Sequence, residues 1–126
     1  MRGRAAGWLV AGLAMVSGAA LGGNLSTSLK NFYAEFEVVK QCANEAQLTA
    51  GDAELAKAAM AKIEAHYLER DSSIDKERVL KAAVADKDEG FRIATRGSKS
   101  DLRPYCRVSL KELLAKAEEI EVSSKR

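Results

Sequence analysis

Apolar residues recur along this chain at alternating spacings of three and four, and short polar runs interrupt them. The interruptions divide the chain into four segments. In "STSLKNFYAEFEVVKQCANEAQ", residues 26–47, the residues Leu29, Phe32, Phe36, Val39, Ala43 and Ala46 fall on one face of a helix, bordered by Tyr33 and Cys42. Ser26 and Ser28 offer capping hydroxyls at its start. In "LTAGDAELAKAAMAKIEAHYLERD", residues 48–71, Thr49 and Asp52 have the spacing of a capping box. Leu55, Ala56, Ala59, Met60, Ile63 and Tyr67 form the apolar stripe of this second helix, and its alanines allow a neighbour to approach closely. "DSS" at 71–73 breaks the pattern before "IDKERVLKAAVADKDEG". There Asp75 and Glu77 suit the positive end of a third helix, Ile74, Leu80, Ala83 and Val84 are placed inward, and Gly90 marks its end.

"FRIATRGSKSD", residues 91–101, is the least helical stretch, with Gly97 and two serines. Pro104 suits the first turn of a helix, and "SLKE", Ser109 to Glu112, has capping-box spacing. Leu110, Leu113, Leu114, Ala117 and Ile120 follow at helical spacing, with Cys106 at or just before this last helix. No segment alternates as a strand would, and Ala, Glu, Lys and Leu dominate. The pattern predicts an all-α fold, a small four-helix bundle.

The first residues do not fit that pattern. Arg2 and Arg4 precede a stretch without charge that lasts until Lys30, densest in apolar residues from Trp8 to Val16 and followed by Ser17-Gly18-Ala19-Ala20. That order is a secretory signal peptide, residues 1–22, cut between residues 19 and 23. Residues 23–126 then form a single helical domain of about 105 residues, enough for a core with little margin. The alternative is a retained anchor that tethers an accessory subunit, since an uncharged run over 5–23 has about the length that spans a bilayer. Its five glycines and many alanines make it weakly hydrophobic. Cysteine is missing near residue 20, which excludes a lipid-modified terminus.

Export decides how the two cysteines are read. An even count in an oxidising compartment pairs Cys42 with Cys106. The bond would close a 65-residue loop, counted inclusively from 42 to 106, and contribute about 4 kcal/mol in the chain-entropy model. That is large against the roughly 5–15 kcal/mol of a whole domain. The alternatives are a bridge between chains, or a thiolate at Cys106 activated by Arg103 and Arg107 in "RPYCR". The thiolate lacks a C-x-x-C partner and a nearby histidine.

Catalytic constellations are missing from the pattern. His66, the single histidine, stands beside Ile63 and Tyr67, with Lys62 and Glu69 one turn away. It reads as a boundary residue, and a small His66-dependent enzyme is the lesser alternative. The chain shows no nucleophile elbow, phosphate-cradling glycine loop or haem-attachment motif, so no cofactor, catalytic residue or metal site is assigned.

Charge is segregated. The chain holds 20 basic and 18 acidic residues. Arg2 and Arg4 belong to the signal, so 18 of each sign remain and the domain is formally neutral, which argues against a nucleic-acid partner. Residues 30–89 carry 9 basic and 13 acidic side chains, whereas residues 90–111 set Arg92, Arg96, Lys99, Arg103, Arg107 and Lys111 against Asp101 alone. This basic stretch is either an anion-binding patch, flanked by Phe91 and Tyr105, or a cover that neutralises helices two and three. In architecture, a small exported helical chain with one long-range disulfide resembles the acid-activated periplasmic chaperones; no motif carries the likeness, and it implies no activity.

The expectation is a periplasmic or extracellular protein that acts without catalysis by binding a protein or envelope partner, with no stable membrane insertion after cleavage. N-terminal sequencing of the exported protein should find a start between Ala20 and Asn24; an intact Met1 would instead mark a retained anchor.

Overall fold

The computed structural model describes residues 18–96 and 101–125. It holds four helices, α1 (Gly18–Asn44), α2 (Ala50–Arg70), α3 (Lys76–Ala94) and α4 (Arg103–Ser124), and no strand among the described residues. Signal-segment residues 1–17 lie outside the described residues, as do Gly97 and Lys99. The expected cut at 19–23 falls on the first turns of α1, while Leu25 and Leu29, downstream of it, pack in the core.

Capping accounts for two of the helix starts. At α2 the Thr49 hydroxyl accepts the Asp52 N–H at 3.0 Å and the Asp52 carboxylate accepts the Thr49 N–H at 3.1 Å, so the capping box forms as its spacing predicts. Asp75 caps α3 by accepting the Arg78 N–H at 3.2 Å. At α4 the expected box does not form. The helix begins at Arg103 with Pro104 in its first turn, and Ser109 lies inside it, 3 % exposed. The reason is the apolar stripe, which starts at Cys106 and continues through Leu110, Leu113 and Ala117, all buried. A helix begun at Ser109 would leave Cys106 outside it.

Gly90 does not end α3. The helix runs four residues further and brings Phe91 into the core. Gly90 serves close approach instead, because a Cβ there would come within 2.6 Å of the Tyr105 hydroxyl oxygen.

The helices alternate in direction. Tyr33 meets Glu64 and Phe32 meets Tyr67, so α2 runs antiparallel to α1. Cys42, Glu35 and Phe32 meet Cys106, Ser109 and Lys116 in turn, so α4 also runs antiparallel to α1. α2 and α4 are therefore parallel, joined by Asp52–Arg107 near one end and Lys62–Glu121 near the other. α1 packs on all three other helices, α2 also packs on α4, and α3 rests chiefly on α1.

That arrangement corrects the one-sided reading of α1. Tyr33 and Cys42, placed at the border of its stripe, are fully buried, and Val38 is buried beside Val39 although they point about 100° apart. Between residues 25 and 44 only Thr27, Asn31, Lys40 and Asn44 are exposed. The outer helices show the converse. Leu55 is 56 % exposed and Val84 38 % exposed, while the neighbouring Ala56 and the earlier Val79 fill the core. Ile74, Leu80, Leu114 and Ile120 pack at its edge.

Cys42 and Cys106 are bonded, with Cα atoms 6.1 Å apart and both residues fully buried. The bond joins the hub helix to α4, not two outer elements.

Ala46, expected on the apolar stripe, ends α1 in the left-handed conformation with φ 60°. The Gln47 N–H donates to the Cys42 carbonyl at 2.8 Å and the Ala46 N–H to the Ala43 carbonyl at 3.1 Å, the paired bonds of a Schellman cap. An L-residue there costs roughly 1–2 kcal/mol, which glycine avoids at some cost in chain entropy. Ala46→Gly should therefore stabilise the protein by about 1 kcal/mol, read as a rise of roughly 4 °C or more in Tm. An unchanged or lower Tm would contradict the strained cap.

Candidate functional site

The residues of "RPYCR" separate according to face. Cys106 turns into the core and its sulfur is held in the disulfide, which leaves no free cysteine. Arg103 and Arg107 stay outside, with side chains 68 % and 59 % exposed. A reactive thiolate at Cys106 is thereby overturned. Tyr105 lies between, its ring edge-on to Phe91 with centroids 5.4 Å apart. This contact brings the tail of α3, with Arg92 and Arg96, to the same end of the bundle as the head of α4, with Arg103 and Arg107. Lys99, in the link between them, is outside the described residues.

The expected cover over helices two and three is largely missing. Arg92 pairs with Glu89 of its own helix through two nitrogens, one at 3.0 Å. Arg103 grips Asp101, two residues back, through Nε at 2.8 Å and Nη2 at 2.8 Å. Asp101 also accepts the Arg103 N–H at 3.0 Å, so it takes the place of a side-chain cap at α4. These bonds pull the Asp101 carboxyl down to about 2 and hold Glu89 below the usual carboxylate range. Among the described residues Arg107 alone of these arginines pairs with another helix, and its 3.9 Å to Asp52 is long. Arg96 has no ion-pair partner among the described residues.

Ion pairs as exposed as these contribute little to stability. A basic side chain held at a densely anionic surface contributes about 1 kcal/mol. The local carboxylates therefore do not lock these guanidinium groups against an anionic partner.

Two aliphatic residues at this end escaped the periodicity. Ile93 is 53 % exposed and Val108 57 % exposed. The available signal was their position, each directly after an arginine and off its helix's apolar stripe.

His66 is half-buried and meets Tyr67 edge-on, with centroids 5.2 Å apart. Burial, then the charges of Arg70 and Lys116, push its pKa down. It lines an open groove of about 360 Å³ between α2 and α4, together with Lys62, Arg70, Ile120 and Glu121. A neighbouring groove of about 320 Å³ has an alanine-rich wall and includes Leu55 and Leu114. Among the described residues no three His, Cys, Asp or Glu side chains gather as metal ligands would. The chain matches no family model, no curated protein and no solved structure.

Two polar contacts of α1 were not legible in the sequence. The Tyr33 hydroxyl donates to Glu64 at 2.5 Å, and burial, then that bond, raise the phenol's pKa. The Ser109 hydroxyl donates to Glu35 at 2.6 Å. Burial raises the pKa of Glu35, the Ser109 bond opposes this, and the nearby Glu112 adds to the rise. A carboxylate whose folded pKa lies above its unfolded value stabilises the fold most when protonated. Its contribution is complete below the ordinary value of 4.5 and is lost as pH rises through the folded pKa. Glu35→Gln keeps an acceptor for Ser109 without the charge. Melting curves should show this variant more stable than the parent at pH 7, with the gap closing as pH falls towards 4.5. A gap independent of pH would contradict the assignment.

Proposed function

We propose that this protein is exported, periplasmic or extracellular, and acts without catalysis as a binding module for a protein or envelope partner. Its docking surface is the end of the bundle where α3 meets α4. The observation that carries this reading is that Arg92, Arg96, Arg103 and Arg107 are all exposed there, and among the described residues only Arg107 of these four pairs with another helix. Four guanidinium groups that do little for the packing of the bundle are available for an anionic partner. The buried disulfide fits the oxidising compartment that export implies. It also fixes the first turns of α4, and so the directions of Arg103 and Arg107. The groove beside His66 supports a catalytic reading less well, because its imidazole borders on cations and an aromatic edge.

Replacing the four arginines by Gln should change stability little, since exposed charges screened by solvent contribute little to folding. At Arg103 and Arg107 the change also relieves positive charge near the positive end of α4. Retention of cross-linked envelope components should fall with the variant, and retention by the parent should weaken as salt rises. A Tm lower by many degrees with unchanged retention would show that the arginines serve the bundle and would end this reading.

A further inference from the structure

The exposed end of α3 and α4 has a second property that charge does not explain. On α4, Arg103, Arg107 and Lys111 form a row at spacings of four, and Pro104 and Val108 form a second row alongside it; all five are exposed. Ile93 lies in the last turn of α3, directly after Arg92, and Arg96 follows in the turn just past the helix; all three are exposed. Neither aliphatic belongs to a buried stripe, which runs through Val79, Ala83 and Phe91 on α3 and through Cys106, Leu110, Leu113 and Ala117 on α4. At this end each helix thus sets an exposed aliphatic side chain beside exposed basic ones. The two grooves along α2 and α4 include none of these residues.

We propose that this end docks peripherally on an anionic phospholipid surface. The arginines bind headgroup phosphates, which their planar forks fit in bidentate fashion. Ile93 and Val108 enter the boundary between headgroups and acyl chains, as apolar side chains of interfacial helices do. Charge complementarity alone would also suit an acidic protein. Such a partner, however, would need an apolar pocket opposite each exposed aliphatic, whereas a lipid surface accommodates both features at once. Contact stays at the surface, since no described helix is long and apolar enough to cross a membrane. The inference rests on the proposed docking role of this end and names its partner.

Co-sedimentation of the exported protein with vesicles tests it, using phosphatidylcholine alone or with one third phosphatidylglycerol. Parent and variants share the same N-terminus, so only the basic end differs between them. The parent should bind the phosphatidylglycerol vesicles and not the neutral ones. Arg96→Gln with Arg107→Gln should lower that partition roughly thirtyfold. Ile93→Ser with Val108→Ser should lower it several-fold at low and at high salt, while leaving retention on immobilised polyglutamate unchanged. Both aliphatics are exposed, so circular dichroism melts of that variant should match the parent. If the aliphatic variant sediments like the parent, or if both vesicle types are bound equally, the lipid proposal is overturned. Should the parent ignore phosphatidylglycerol yet be held by polyglutamate through its arginines, the lipid proposal fails and the docking role of the basic end survives. If arginine replacement alters neither binding, both fail.

Discussion

The bond between Cys42 and Cys106 closes a loop that contains all of α2 and α3. Its sequence separation of 64 means 65 residues counted inclusively, and constraining a loop of that length in the unfolded chain contributes about 4 kcal/mol. The bond joins α1, the one helix that packs on every other, to the start of α4. α3, which rests chiefly on α1, and α2, which packs on both α1 and α4, are thereby enclosed between fixed ends. A chain of this size has a small core, so a covalent tie at the hub is a large share of its stability.

The hub position also sets the polar contacts. α1 is covered on several sides, so polar side chains at its interfaces need partners there. Tyr33 finds Glu64, and Glu35 finds Ser109. Both bonds cross helix interfaces and are half-buried. The arginines of the basic end behave differently. They carry full charge, lie outside, and pair mostly with residues two or three positions away. Stability and surface chemistry are therefore divided between parts of the chain. The interior is fixed by the disulfide, apolar burial and a few neutral-to-carboxylate bonds, and the charges at one end lie outside it.

The same division explains the geometry of "RPYCR". One turn of helix places Cys106 inward and Arg103 and Arg107 outward, so the tie that fixes the core also orients the basic end. Tyr105 continues the link sideways to Phe91 and passes close over Gly90. Residues that serve packing and residues exposed to solvent thus alternate within five positions.

Local chemistry made much of this legible in advance. The four helices follow from spacings of three and four, the start of α2 from the side chains of Thr49 and Asp52, and the disulfide from two cysteines in a chain read as exported. These are properties of a helix turn or of a count, and neighbours in space do not alter them. Tertiary structure decided the rest, because the outcome depends on how many sides of a helix are covered. Covering α1 on several sides buries Val38 with Val39 and makes Tyr33 and Cys42 central. Burying Phe91 against the bundle carries α3 past Gly90, and pulling Cys106 into the core starts α4 at Arg103 and draws Ser109 inside. On the side of α2 that neither α1 nor α4 covers, Leu55 is left in water, while Ala56 beside it is enclosed. The exposed arginines, with Ile93 and Val108 beside them, were present in the sequence as letters, but only packing shows which residues the bundle leaves outside.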